Sequence, residues 1–501
     1  MSIKNAAFDY VSASISSFTA AGDIGTVTRT AHGRSVGDYV AIEGATMSGY
    51  NGVYRVETVP NADTYTVKLP ITPDVTTATG TMIEYTADQD ISIIGEGVID
   101  ANGANQTPQG NNNDHGIMIV RCARPHVDVK VKNPRKFAYL FGNCRDMTTG
   151  VLKVQNDYSD GIHLWGPIIN ADIGGLMGYT GDDFFAITMG EYAAYEMFRG
   201  DVYGVRIGIL GGRTALAGVK IAGNSPFSCK DVRIDKFRMY CGNNSFAITT
   251  DTNLTQTNVG SVHVGEYEEL NPAANKGGVF VNTASGTTVV DSVTIDHVYM
   301  RLPANVNWAL FYTGNVNATL RRASAPDLDV KGPTAGVTAA PRIVRQVGPL
   351  SELHIGGKVE NFHSVWDHDS AGSETGQRIY SNGLRQIGCN VGVAFRRNMN
   401  VYANGWSLES TGTAAFSAGS GTLTLVGDVH PEAAGKHANL SGTARIIPFT
   451  DTLEIDGDFV TAAKNAKFWN NDSAWSLGSG TDKTGFYGYT GSAWTKLFGP
   501  A

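Results

Sequence analysis

Three segments decide the fold: Tyr158-Ser159-Asp160-Gly161-Ile162, Gly181-Asp182-Asp183-Phe184-Phe185-Ala186-Ile187, and Tyr203-Gly204-Val205-Arg206-Ile207-Gly208. The interval from Asp160 to Asp182 is nearly repeated from Asp182 to Tyr203. A near-constant step of this kind between strand-like segments suits one coil of a parallel β-solenoid, in which short strands and turns return the chain above its starting point. Residues one coil apart then stack on one face, roughly 4.8 Å from their neighbours. Asp160, Asp182 and Asp183 are therefore expected in one surface patch. Carboxylates gathered there repel one another, so at least one should keep its proton near neutral pH. A protonated carboxyl beside an ionised one is the pair that glycosidic bond cleavage requires. Asp also closes turns by capping backbone N–H groups; the one-coil spacing, with a basic residue and aromatics nearby, favours a site over a plain corner.

The composition agrees with this class. Valine, isoleucine and threonine recur in short alternating runs, and long helical periodicity is scarce. With 42% hydrophobic residues, 60 glycines and only 17 prolines in 501 residues, an all-β chain with a sizeable core and two or three domains is expected. The net charge is −8 and no basic run occurs, which argues against nucleic acid and anionic membrane as partners. No apolar segment reaches membrane-spanning length, and Met1-Ser2-Ile3-Lys4 leads into no signal-type core. The five cysteines, Cys122, Cys144, Cys229, Cys241 and Cys389, form no CxxC pair, so neither a disulfide framework nor a metal site is expected, nor any cofactor. Cys122 and Cys144 are separated by the same interval as Asp160 and Asp182, which fits thiols stacked inside a solenoid made in a reducing cytoplasm.

Taken in order, residues 1–84 alternate like a small β-barrel or sandwich, with turns at Ala31-His32-Gly33-Arg34 and Gly49-Tyr50-Asn51-Gly52, where His32 reads as a turn residue. Ile91-Ser92-Ile93-Ile94-Gly95-Glu96-Gly97-Val98-Ile99-Asp100 opens a new pattern. The Asn- and Gln-rich residues 104–114 read as an exposed loop. Short strands then recur at 126–131, 150–154, 230–234 and 292–296 with Val or Ile on one face. A β-helix is expected over 85–400. A C-terminal β-domain is expected over 401–501, carrying Phe468, Trp469, Trp475, Phe486, Tyr487, Tyr489 and Trp494, for trimerisation, capping or sugar binding.

Residues 90–240 resemble a divergent polygalacturonase-family glycoside hydrolase, a right-handed parallel β-helix of the pectin-lyase type. The family pattern is Asn-Thr-Asp-Gly, Gly-Asp-Asp, Gly-His-Gly and Arg-Ile-Lys. Asp160 falls on the first motif, with Tyr158 and Ser159 in place of Asn and Thr, and Gly181-Asp182-Asp183 matches the second directly. Tyr203 stands where the third has His, with Arg206 after it. Gly218-Val219-Lys220-Ile221-Ala222 aligns with the fourth, Lys220 replacing Arg. The resemblance implies Asp182 as general acid, Asp160 and Asp183 as the base pair, inversion at the anomeric carbon, and substrate contacts from Tyr203, Arg206 and Lys220. His163 and Trp165 are added as substrate-binding candidates because they follow Asp160 closely. The residues that grip galacturonate are lost, which argues against pectin.

The N-terminal segments resemble a module of phage tail proteins. Together with the solenoid and the aromatic C-terminal region they resemble a phage tailspike depolymerase. That resemblance implies a homotrimer on the virion tail, made in the host cytoplasm, attached to tail or baseplate proteins and cutting capsule or lipopolysaccharide O-chains outside the cell. Two alternatives stay open: a lyase using Arg206 or Lys220 as base, and a receptor-binding spike without catalysis. Phe184, Phe185, Tyr192 and Tyr195 are aromatics able to line the groove or fill the core. Trp366-Asp367-His368-Asp369 reads as a solvated turn, and Glu266, Glu268 and Glu269 as a polar face.

Overall fold

The computed structural model describes residues 3–5, 12–106, 114–190, 198–270, 277–302, 308–333, 341–368 and 376–409, then 414–418, 421–431, 436–440, 445–449, 455–457, 467–470, 485–489 and 494–498. Among them there is no α-helix, only a 3-10 turn at Gly103–Asn105. Among the described residues no helix is long and apolar enough to cross a membrane. The chain divides into two compact units, residues 1–265 with 282–290 and residues 266–281 with 291–501.

The first unit opens with a seven-stranded antiparallel sheet running from Ala13–Ser14 to Ile83–Thr86. Its core packs Phe18 edge-on to Tyr50, at 4.9 Å between ring centroids, with Tyr54, Tyr65 and Val67. The buried Glu84 is held by Arg29, Arg34 and the Tyr65 hydroxyl. After Asp88 the strands become parallel and stack in sequence order. Ile117, Tyr139, Ile162, Phe185, Val219 and Phe246 stand in register, and all are buried. Ile119, Phe141, Leu164, Ile187, Ile221 and Ile248 form a second such ladder two residues on. Alternation along each strand sends these apolar side chains inward, so every coil adds one layer to a continuous core. Cys122 pairs with Cys144 in the ladder, and all five cysteines are buried and reduced.

The coil length is less regular than the sequence suggests. Ile117, Tyr139, Ile162 and Phe185 succeed one another at nearly equal intervals, but the step from Phe185 to Val219 is about half as long again, and the step from Val219 to Phe246 is intermediate. The strand Phe185–Met189 ends and the next begins at Val202 within this long step. The interval from Asp182 to Tyr203 is therefore not a coil.

In the second unit Val279, Phe311, Val344, Trp366 and Val393 stand in parallel register, all buried. Its buried indoles are each answered by an acceptor: Trp308 donates to Glu269 at 3.2 Å, Trp366 to Gln346 at 3.0 Å and Trp406 to Gln386 at 2.8 Å. A buried indole N–H without such a partner would be costly. Glu269 thus belongs to the core. Trp366 and His368 point inward, and Asp367 pairs with Arg342; Asp369 lies outside the described residues. Parallel pairing runs past residue 400 to Ile455–Gly457. Lys467–Asn470, Gly485–Tyr489 and Trp494–Phe498 form a three-stranded antiparallel sheet carrying the C-terminal aromatics except Trp475, which is not described.

Candidate active site

One corner of the first unit's solenoid collects the acids. Asn156 organises it: its amide nitrogen donates to the carbonyls of Lys136 at 2.6 Å and Asp160 at 2.8 Å, and its oxygen accepts from the N–H groups of Tyr158 and Ser159. These bonds turn the chain from the long strand Tyr139–Asn156 into Ile162–Thr180 and fix Asp160 at the bend. One coil on, Thr180-Gly181-Asp182-Asp183 makes the same bend. The Asp182 carbonyl accepts from the hydroxyls of Thr180 and Thr214, and Asp183 Oδ1 accepts from the Ala217 N–H at 3.1 Å. Gly is required at position 181 because a Cβ there would lie 2.2 Å from the Asp157 carbonyl oxygen.

Asp160, Asp182 and Asp183 each present a carboxylate oxygen within 4.8 Å of the others. Asp160 and Asp183 are buried and Asp182 is half-buried. Burial, then the Asp182 charge, pushes Asp160 up to about 8, with Lys220 opposing. Asp183 is also pushed up to about 8, by burial and then by Asp160. Oxygens this close are able to share a proton or a cation; burial of two of the three penalises charge and favours the proton. The spacing is shorter than the roughly 6.5–9.5 Å that leaves room for water between the two carboxyls of an inverting pair. It therefore departs from the geometry expected for inversion.

His163 is part of this cluster, but not as a surface contact. It is buried, with Nδ1 2.7 Å from Asp160 Oδ2 and Nε2 3.0 Å from Thr188 Oγ1. Its ring stacks on Phe137 at 4.2 Å, and Phe137 stacks on His115 at 4.8 Å. Burial, then Lys220, lowers His163 to about 3, so the ring is neutral at physiological pH and carries one proton to share along Asp160–His163–Thr188. Lys220 stands in register two coils on from His163, through Ala186. Its ammonium lies 3.1 Å from Asp251 and acts on Asp160 and Asp183.

The fold thus brings together Asp160, Asp182, Asp183, His163 and Lys220, and leaves three other expected residues elsewhere. Tyr203 is in register with Ile169 and packs into the core shared with the N-terminal sheet, beside Tyr54. Because the long coil delays the return of the chain, the place one coil on from Asp183 belongs to Ala217. Arg206 is in register with Asp172 and Arg233, exposed, and paired with Asp235 at 3.3 Å. Trp165 is buried among Met118, Val120, Leu140 and Phe198, which removes its face from any sugar. Phe184 and Phe185 are core residues; Tyr192 and Tyr195 lie outside the described residues. Asn156, Lys136, Phe137 and Thr188 were not singled out from the sequence. An Asn shortly before Asp160 carries no distinctive spacing until the corner is known.

Fold and site define a class: a parallel β-helix with a carboxylate cluster on one corner. No protein-family model matches the chain, and no curated protein is recognisably similar to it. Among solved structures it is similar to the Gp54 tailspike of Acinetobacter baumannii bacteriophage AP22, in complex with A. baumannii capsular saccharide, at 12% sequence identity and a TM-score of 0.38. The match covers 88% of this chain and 64% of that one, so this chain spans less than two thirds of that tailspike's length. It is also similar to the tailspike protein gp49 from Pseudomonas phage LKA1, at 13% identity and a TM-score of 0.33, covering 91% of this chain and 67% of that one.

Proposed function

We propose that this protein is a phage tailspike depolymerase, an endo-acting glycoside hydrolase of a bacterial surface polysaccharide. The observation that carries this reading is the cluster of Asp160, Asp182 and Asp183 within 4.8 Å on one corner of the β-helix. The buried pair Asp160 and Asp183 supplies the protonated carboxyl, and the more open Asp182 supplies the carboxylate. This assignment reverses the roles that the family resemblance implies, because burial favours the neutral form and falls on the outer two members. Asp183, whose backbone partner Ala217 leaves one oxygen to the cluster, donates its proton to the glycosidic oxygen. Asp182 acts on the anomeric carbon as nucleophile, in keeping with the short spacing, and a water deprotonated by Asp183 then releases the glycosyl group. Asp160, tied to His163, holds the second proton and tunes Asp183. The chain acts as a homotrimer mounted on phage tail or baseplate proteins, outside the host cell.

Incubation with a panel of capsules and O-antigens, followed by sizing of the products, tests the reading. Oligosaccharides should appear without the ultraviolet absorbance of unsaturated uronates. Asp182→Asn should lower the rate by about 10²–10⁴-fold while binding persists. Absorbing products would instead indicate β-elimination. Binding with no cleavage by the unaltered protein would indicate a receptor-binding spike.

A further inference from the structure

The acidic corner is flanked by two arginines that have no acid partner among the described residues. Arg213 directly precedes Thr214, whose hydroxyl binds the Asp182 carbonyl. Its guanidinium lies 5.2 Å from the centroid of the Tyr179 ring, and it stands in register between Tyr179 and Tyr240. Tyr240 is 49% exposed, and Leu216, which follows on the same bend, is 44% exposed. Toward the preceding coil, Arg135 lies 4.8 Å from the centroid of the Tyr158 ring. Tyr158 is two residues before Asp160 and 44% exposed. Neither arginine forms an ion pair among the described residues, although Asp157 is exposed on the same corner.

Several other surface arginines are matched to acid: Arg206 and Arg233 to Asp235, Arg301 to Asp329, Arg321 to Asp291. In a chain of net charge −8 acid is in surplus, and these two unmatched guanidiniums sit against Tyr158 and Tyr179, on the bends that carry the aspartates. The open Asp182 carboxylate would repel an anionic polymer approaching it. A guanidinium on each side offsets that field and offers a planar fork that fits a carboxylate. Seated on a tyrosine face, each fork is held out toward solvent and partly organised before anything binds.

We propose that Arg135 and Arg213 form an anion-binding rim around the acidic corner, and that the saccharide taken there is an acidic polysaccharide whose sugar carboxylates they grip. The inference rests on reading the corner as a saccharide site and adds the class of saccharide.

The test uses the full-length Asp182→Asn protein, which binds without cutting. The probes are purified uronate-containing capsules, the same capsules with carboxylates reduced to alcohols, and neutral capsules. Binding should be confined to acidic forms, weaken with added salt, and fall about tenfold or more on carboxyl reduction. Arg213→Gln and Arg135→Gln should each lower affinity about tenfold with circular dichroism unchanged, and Arg213→Lys should restore part of the loss. Equal binding of reduced or neutral capsules, unchanged affinity in both glutamine variants, or binding of no acidic capsule would overturn the proposal. Arginine-dependent binding of an acidic capsule that the unaltered protein never cuts would sink the hydrolase reading and leave this one standing. Asp182-dependent cutting of a neutral capsule would do the reverse.

Discussion

Asp160 and Asp183 carry a pH signature that follows from their burial. Both sit at about 8 in the folded chain against roughly 4 when unfolded. The folded state therefore holds the extra protons between these limits, and the stability they contribute is complete below about pH 4 and lost as pH rises through about 8. His163, lowered to about 3 from roughly 6.5, acts in the opposite sense: its contribution is present above about pH 6.5 and lost as pH falls toward about 3. Thermal melts should show Asp183→Asn gaining stability relative to the parent between about pH 5 and about pH 9, on the order of 2 °C or more. A difference that does not change with pH would contradict the raised value. Catalysis should fall above about pH 8 as the acid loses its proton. His163→Gln should lower kcat by about 10-fold to 100-fold with little change in KM and displace that alkaline limb, since the ring positions Asp160 and touches no substrate. A variant that raised KM alone would mean that His163 contacts sugar.

At the scale of the element, the site is a property of the bend. Asn156 satisfies two carbonyls and two N–H groups with one buried amide, so its removal strands several polar groups together. Asn156→Ala should destabilise the chain by about 2–4 kcal/mol and reduce activity even where the protein stays folded. Denaturant unfolding and assays on the soluble fraction would check both. The next bend repeats the device with different chemistry, the hydroxyls of Thr180 and Thr214 serving the Asp182 carbonyl and Gly181 making room for Asp157. Each coil thus solves the corner anew. This is why only the acids, and not the residues that hold them, repeat visibly along the chain.

For the molecule as a whole, the proposed assembly predicts a native mass near three times the 53.3 kDa of the chain, measurable by light scattering; a monomer would remove the trimer from the proposal. The sequence by itself determined the class of fold. Alternating Val and Ile recurring at a near-constant interval have few ways to bury their apolar face other than by stacking coils, and the Cys122–Cys144 pair shows that register surviving into the structure. It also pointed to Asp160, Asp182 and Asp183, because Gly-Asp-Asp one coil after Asp-Gly is a local pattern. What it did not hold was the length of the coil that follows. Between Phe185 and Val219 the chain runs well past the length of the coil before it, while the ladder keeps its register. That one step moved Tyr203 and Arg206 off the corner, put Ala217 beside Asp183, and brought Lys220 into the column of His163. Which side chains turn inward was likewise decided by tertiary packing: Trp165 and His163 both became buried, one as core and one as a partner of Asp160, through neighbours supplied by other coils. Strand pattern is local and readable along a chain, whereas a site assembled across coils depends on how many residues each loop spends outside the register.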